Sequence, residues 1–273
     1  MVNAQNWIND DIPFSQRNSI RELYIWPVSI QQTNPRYISH SQDSPNRYFF
    51  PDNNKLEGVL DLSTFPNLEQ ITVESQLITG LILVNCQNIR RVCANDNLLE
   101  EVIWPIPNSN QVIPLENIQL TNNNFFGCDL FEFSNFIHLK TLLLGTDERA
   151  KIDQGIFNRW TGSLIHLRNM VGLLELDINC TDINSGLEYL PVDGGLYRFT
   201  FGKIGREEAR VERLQNILLR DIPNEIVFEG SRTIDDWAFK GTYATENYFR
   251  SGWSKAIDIR IWQNQFQAQI QSN

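Results

Sequence analysis

The feature that most narrows what this chain can fold into is a comb of apolar residues that returns at a step far longer than any helix or strand period. It starts as Leu68-x-x-Ile71-x-Val73 and is followed at fixed offsets by Ile78, Leu81 and Leu83. It returns as Ile89-x-x-Val92-x-Ala94 with Asn97, Leu99, Val102 and Trp104 behind it, so the step from Leu68 to Ile89 is 21 residues. The same spacing recurs as Leu115-x-x-Ile118-x-Leu120 with Asn123 and Phe125, Leu139-x-x-Leu142-x-Leu144, Leu173-x-x-Leu176-x-Ile178 with Thr181 and Ile183, and Leu196-x-x-Phe199-x-Phe201. A period in this range marks a repeat architecture, because one such turn cannot bury its apolar face alone and must stack on the next. Wider steps of 26, 24 and 34 residues place insertions at 105–114 and 146–162. A stack tolerates them, since each turn contacts only its neighbours.

Side chains alternate along a strand, so L-x-x-L-x-L reads as a short strand with its leucine positions inward and the intervening residues outward. The predicted fold class is an α/β repeat: a leucine-rich-repeat solenoid over 20–202, with parallel strands on its concave face. An N-terminal helical cap is expected at 1–19, and an insertion at 27–54, where Pro27, Pro35, Pro45 and Pro51 lie among Ser, Asn and Gln. An irregular, aromatic-rich C-terminal cap is expected at 203–273, because an uncapped stack would leave a hydrophobic layer open. Within it, Arg206 to Leu219 reads as an amphipathic helix through Val211, Leu214, Ile217 and Leu218, and Ile257-x-Ile259-x-Ile261 alternates like a strand. Asn97 and Asn123 sit where the chain leaves its strand, and their amides can satisfy backbone groups there. Gln76, Asp147 and Thr181 at the same site predict an imperfect ladder and an irregular, shallow curve.

Three stretches resemble a known family. They are Asn3-Ala4-Gln5-Asn6-Trp7-Ile8 before Ile20-Arg21-Glu22-Leu23, Lys55 to Ser63 before Phe65-x-x-Leu68, and Gly162-Ser163-Leu164 through Leu176-Asp177-Ile178 to Pro191. Over most of 3–26 and 55–201 the chain resembles the short-repeat leucine-rich-repeat proteins abundant in arbuscular mycorrhizal fungi. The resemblance implies an intracellular interaction module, joined in some relatives to a protein-kinase domain. Kinase activity is not carried over, because the chain has no H-R-D, no D-F-G and no glycine-rich loop.

A formal net charge of −10 and a pI near 4.8 argue against nucleic-acid and anionic-membrane partners, since the general field repels phosphates. The densest basic stretch, Lys203 to Arg213, also carries Glu207, Glu208 and Glu212 and reads as a solvated mixed-charge helix. The opening MVNAQNWINDDIPF has no signal-peptide pattern and no later stretch could span a bilayer, so a cytoplasmic chain is expected. Cys86, Cys93, Cys128 and Cys180 form no C-x-x-C pair and read as reduced core thiols.

Catalytic, cofactor and metal sites are all expected to be none. His40, His138 and His166 are far apart in sequence, the acidic pairs Asp10-Asp11, Glu100-Glu101 and Asp235-Asp236 point apart, and no nucleotide-, zinc- or hydrolase-type motif occurs. The expected activity is therefore protein or peptide binding through the concave face. By register that face presents Gln70, Thr72 and Glu74; Arg91, Cys93 and Asn95; Asn117, Gln119 and Thr121; Thr141 and Leu143; Glu175, Asp177 and Asn179; and Arg198 and Thr200. Polar residues of both charge signs suit protein recognition. Two alternatives are a regulatory subunit docking through the aromatic tail, where Trp237, Arg250 and Trp253 would act as hot-spot residues, and an enzyme with an unrecognised site.

Overall fold

The computed structural model describes residues 1–29, 46–107, 111–191, 196, 198–211 and 213–214, and the backbone of 237–240 and 255–257. The chain divides into two compact units, Met1–Phe125 and Phe126–Asn273.

The first unit opens with β1 (Val2–Asn3) and the helices α1 (Ala4–Asp11) and α2 (Phe14–Arg17). Asn3 caps α1 by accepting a hydrogen bond from the Asn6 amide at 2.9 Å, and Ala4, Trp7 and Ile8 form its buried stripe. The other end is closed by Arg17, a buried cation that donates to the Ile8 and Ile12 carbonyls, each at 3.0 Å. Carbonyls at a helix C-terminus carry the negative end of its dipole, so a guanidinium is well placed there. Seven strands follow: β2 (Glu22–Pro27), β3 (Arg47–Phe50), β4 (Leu56–Asp61), β5 (Gln70–Val73), β6 (Leu77–Ile82), β7 (Arg91–Cys93) and β8 (Glu101–Ile103). The last strand is β9 (Asn117–Gln119).

These strands make two parallel sheets, ordered β3-β2-β5-β7-β9 and β1-β4-β6-β8. Leu23, Ile25, Ile71, Val73, Val92 and Ile118 from the first sheet and Leu56, Leu60, Ile78 and Leu81 from the second are fully buried core. The side opposite the comb is thus strand rather than helix. A turn of about 21 residues that also makes two corners has no room for a helix of average length, roughly 11 residues. Within the expected insertion, 47–50 is an ordered strand beside β2, while 30–45 lies outside the described residues.

At the end of the comb strand the chain turns through a left-handed residue, at Ser75, Asp96, Asn122 and Cys180 with φ of 54°, 57°, 56° and 61°. Each directly precedes the ladder residue and redirects it into the core. Asn97 donates to the carbonyls of Val73, Ala94 and Asn95 at 2.8, 3.3 and 3.0 Å and accepts from the Ile78 amide at 3.2 Å. Asn123 repeats the pattern on Ala94, Leu120, Thr121 and Leu99. Gln76 takes the same place, accepting from the Leu56 amide at 3.0 Å, and the Thr181 hydroxyl donates to the Ile178 carbonyl at 2.8 Å. The turn after Leu144 corrects the reading of Asp147 as the ladder residue. Asp147 is exposed, and the amide comes from Asn158, buried and donating to the Leu144 carbonyl at 2.8 Å. The insertion at 146–162 delivers this substitute, because buried carbonyls must be paired whatever residue does it.

The second unit contains β10 (Phe126–Asp129), β11 (Thr141–Leu143), the short helix α3 (Arg149–Asp153), β12 (Arg159–Thr161), β13 (Glu175–Asp177) and β14 (Arg198–Thr200). Strands β15 (Trp237–Lys240) and β16 (Lys255–Ile257) complete it. The comb strands β11, β13 and β14 are parallel, β15 runs antiparallel to β14, and β16 is parallel to β15. On the other side β10 pairs with β12, and 3-10 turns stand at Leu130–Phe133, Leu164–Leu167 and Leu187–Tyr189.

The mixed-charge helix expected from Arg206 does not form over the described residues 203–211. Arg206 and Ala209 each close an i to i+3 turn instead, and 213–214, within the expected span, are helical. Arg206 is buried rather than solvated: it donates to both Asp182 oxygens at 2.9 and 3.0 Å and to the Cys180 carbonyl, and lies 4.4 Å over the Phe157 ring. One deep ion pair outweighs the helix pattern, because a buried guanidinium must find its partners wherever the backbone can bring them. Residues 215–236 and Ile259 and Ile261 lie outside the described residues.

Candidate partner-binding faces

The face of the first unit's comb sheet that points away from the core is set by strand alternation. Its first row is Glu22, Gln70, Arg91 and Asn117, aligned across β2, β5, β7 and β9 by the strand register. The second is Tyr24, Thr72, Cys93 and Gln119, with Arg47 of β3 opposite Tyr24. Glu74, Asn95 and Thr121 form a third, tied by hydrogen bonds. Asn95 donates to Glu74 at 3.0 Å and accepts from the Thr121 hydroxyl at 2.9 Å, and Gln119 donates to Asn117 at 3.0 Å. The structure therefore brings together all nine residues singled out on this unit. Thr72 and Cys93 are buried and belong to the floor; burial pushes the Cys93 thiol up to about 12, which keeps it protonated and unreactive.

Sequence reasoning missed an aromatic cluster at the β2–β3 end of the same sheet side, where Trp26 and Tyr24 are buried and Phe49 and Arg47 half-buried. Tyr24 and Trp26 have ring centroids 5.1 Å apart, Trp26 and Phe49 are 5.7 Å apart, and the Arg47 guanidinium stands 5.6 Å over Tyr24. The signal was the alternation in Glu22-Leu23-Tyr24-Ile25-Trp26, which puts two rings on the face opposite Leu23 and Ile25. The Tyr24 hydroxyl donates to Glu22 at 2.9 Å, and burial followed by that bond holds it up at about 12.

Where the strands begin, charges alternate in sign from turn to turn. Arg21 pairs with Glu69, and Arg90 pairs with Glu116 at 3.1 Å. Beside them Glu22, Glu69, Gln70, Arg90, Arg91 and Glu116 line a depression of about 250 Å³.

In the second unit, Thr141, Glu175 and Arg198 align across β11, β13 and β14, and Glu175 and Arg198 pair at 3.2 Å. Leu143, Asp177 and Thr200 form the next row. Asp177, Asn179 and Thr200, expected to meet a partner, are buried and bonded internally. The Thr200 hydroxyl and the Asn179 amide donate to Asp177 at 2.6 and 3.0 Å, and Asn179 accepts from the Gly202 amide. Gly145 packs so closely that a Cβ there would sit 2.6 Å from the Asp177 carboxylate.

Burial raises the Asp177 pKa from the ordinary 3.8, against the Thr200 and Asn179 hydrogen bonds and the Arg198 charge that lower it. A raised carboxylate holds its proton longer in the folded than in the unfolded chain. Stability from this group is therefore full below about 3.8 and declines as pH rises through the folded value. In urea titrations the stability difference between Asp177→Asn and the native chain should grow in the variant's favour as pH rises above about 4. A difference constant with pH would refute this.

Of the tail residues, Trp237 begins β15, while Arg250 and Trp253 lie outside the described residues, as does His40. His138 is exposed, and His166 stands 3.9 Å from Asp129 and edge-on to Phe131. Cys86, Cys93 and Cys180 are buried, Cys128 is half-buried, and all four are free thiols. Among the described residues no three His, Cys, Asp or Glu side chains gather as a metal site, and no helix is long and apolar enough to cross a membrane.

Comparison with protein families and with curated proteins gives no match. Among solved structures, the chain is similar to a leucine-rich-repeat protein of Leptospira interrogans, at 17% identity and a TM-score of 0.40. The matched region covers 63% of this chain and 40% of that one, so this chain spans less than half the length of that protein.

Proposed function

We propose that this protein is a non-enzymatic interaction module that binds a protein or peptide on the outward face of its first-unit comb sheet. The observation that supports this reading is the composition of that face: rows of amides and mixed charges around an open depression, with the half-buried Arg47 and Phe49 on the neighbouring strand. Aromatic and arginine side chains supply most interface energy, and a polar surround supplies register. In the same reading the repeats stack into one solenoid, this face is its concave side, residues 1–19 and 203–273 are its caps, and the setting is cytoplasmic.

The test is affinity capture from a native extract with the intact chain, Arg91→Glu and Gln119→Arg on the first unit, and Arg198→Glu on the second, once circular dichroism shows all four folded. A partner whose affinity falls about ten-fold or more, some 1.4 kcal/mol, with the first two variants supports the reading. A specific partner indifferent to all three moves the site to the aromatic tail.

A further inference from the structure

Resting on that reading, we infer that the depression between β2 and β7 is a dipolar subsite for an extended peptide carrying one basic and one acidic side chain three residues apart. Six side chains line it, and three of them carry charges that are matched locally: Glu69 by Arg21, which lies outside the lining, and Arg90 and Glu116 by each other. Glu22 and Arg91 differ. Both are exposed, and their partners on this face are neutral: Glu22 accepts from the Tyr24 hydroxyl, and Arg91 donates to the Gln70 side chain at 3.3 Å. The row therefore holds a carboxylate at one end, an amide in the middle and a guanidinium at the other end, each on its own strand.

Register fixes the separation. Glu22 is opposite Gln70 and Gln70 is opposite Arg91, so the two charged residues are two strand spacings apart, about 10 Å between backbones. A bound cation beside Glu22 and a bound carboxylate beside Arg91 must match that distance. In a polyproline-type segment, residues i and i+3 lie on the same side about 9.3 Å apart, whereas a β-strand places same-side residues about 7 or 13 Å apart. The polyproline spacing fits. Such a segment also keeps its backbone solvated, which suits a ligand crossing the strands of this face rather than adding to a sheet edge. The depression, at about 250 Å³, is smaller than the roughly 300–1,000 Å³ of small-molecule sites, which favours side chains over an enclosed small ligand.

The test uses immobilised proline-rich peptides carrying one Lys and one Glu, separated by one to five positions and in both orders. The full chain should bind best at a separation of three and in one order. Arg91→Glu and Glu22→Lys should each weaken that peptide at least ten-fold, and Glu22→Arg/Arg91→Glu together should invert the preferred order. A flat response across separations, or single variants that bind as well as the native chain, overturns the subsite. If the captured partner still depends on Gln119 while the peptides give a flat response, the subsite falls and the sheet-face function stands. If neither depends on this face, both fall.

Discussion

Replacing Arg206 by alanine is expected to destabilise the chain by about 3–5 kcal/mol, the usual cost of removing one partner from a buried ion pair. Its side chain is 3% exposed and that of Asp182 14%, so the carboxylate left behind can recover little hydration. The Cys180 carbonyl would lose its donor, and the Phe157 ring its cation, in the same step. Removing both charges with apolar residues of similar size, Arg206→Met with Asp182→Leu, should recover most of the loss, since neither charge is then stranded. Glu208→Ala, at the exposed end of the cluster, should change stability by less than about 0.5 kcal/mol. Urea unfolding followed by far-ultraviolet circular dichroism measures all three. A single alanine variant as stable as the native chain would show that the tail holds its place by other contacts.

Asn123→Ala should cost a comparable amount, about 2–5 kcal/mol, for a different reason. One buried amide serves three carbonyls, at 2.9, 3.0 and 3.1 Å, and accepts from the Leu99 amide at 3.0 Å. Alanine strips the buried Leu99 amide of its acceptor and takes one donor from each carbonyl, although Ala94 keeps the Asn97 amide and Thr121 the Asp96 amide. Each buried group left unsatisfied costs about 1–3 kcal/mol, partly relieved by local movement. Asn88, exposed and reaching the Pro66 carbonyl at 3.5 Å, is the matched control, and Asn88→Ala should be close to neutral. Because neighbouring repeats share these bonds, the Asn123 variant should also broaden the transition as the turns lose cooperativity. An unchanged midpoint and slope would mean that packing alone holds the corner.

Much of this was legible in residue spacing. The L-x-x-L-x-L comb places the parallel strands over Leu68–Val73, Ile89–Ala94, Leu115–Leu120 and the later turns, and the strand registers align those turns residue for residue. Period-two alternation is a local property of the backbone, so a strand's two faces can be assigned without knowing what lies against them. The nine outward residues from Gln70 to Thr121 follow from that alone. So does the need for a side-chain amide after each comb strand, which Asn97 and Asn123 announce.

What alternation cannot tell is whether an outward residue meets solvent, a neighbour or another segment. Asp177 and Thr200 occupy outward positions yet are buried against each other, and Asn158 reaches its corner only because an insertion folds back onto it. Arg206 reads as the solvated face of a helix until Asp182, 24 residues earlier, is brought beside it. The Tyr24, Trp26 and Arg47 cluster needs β3, a strand inside a proline-rich stretch that carries no comb. The sequence by itself determined the repeat, its strands and the direction each side chain leaves the backbone, because these follow from local geometry and a period. Only the tertiary structure decided which of those side chains are buried, which charges are paired and where two unmatched ones are left facing a common depression. Desolvation and pairing depend on neighbours that lie far away along the chain.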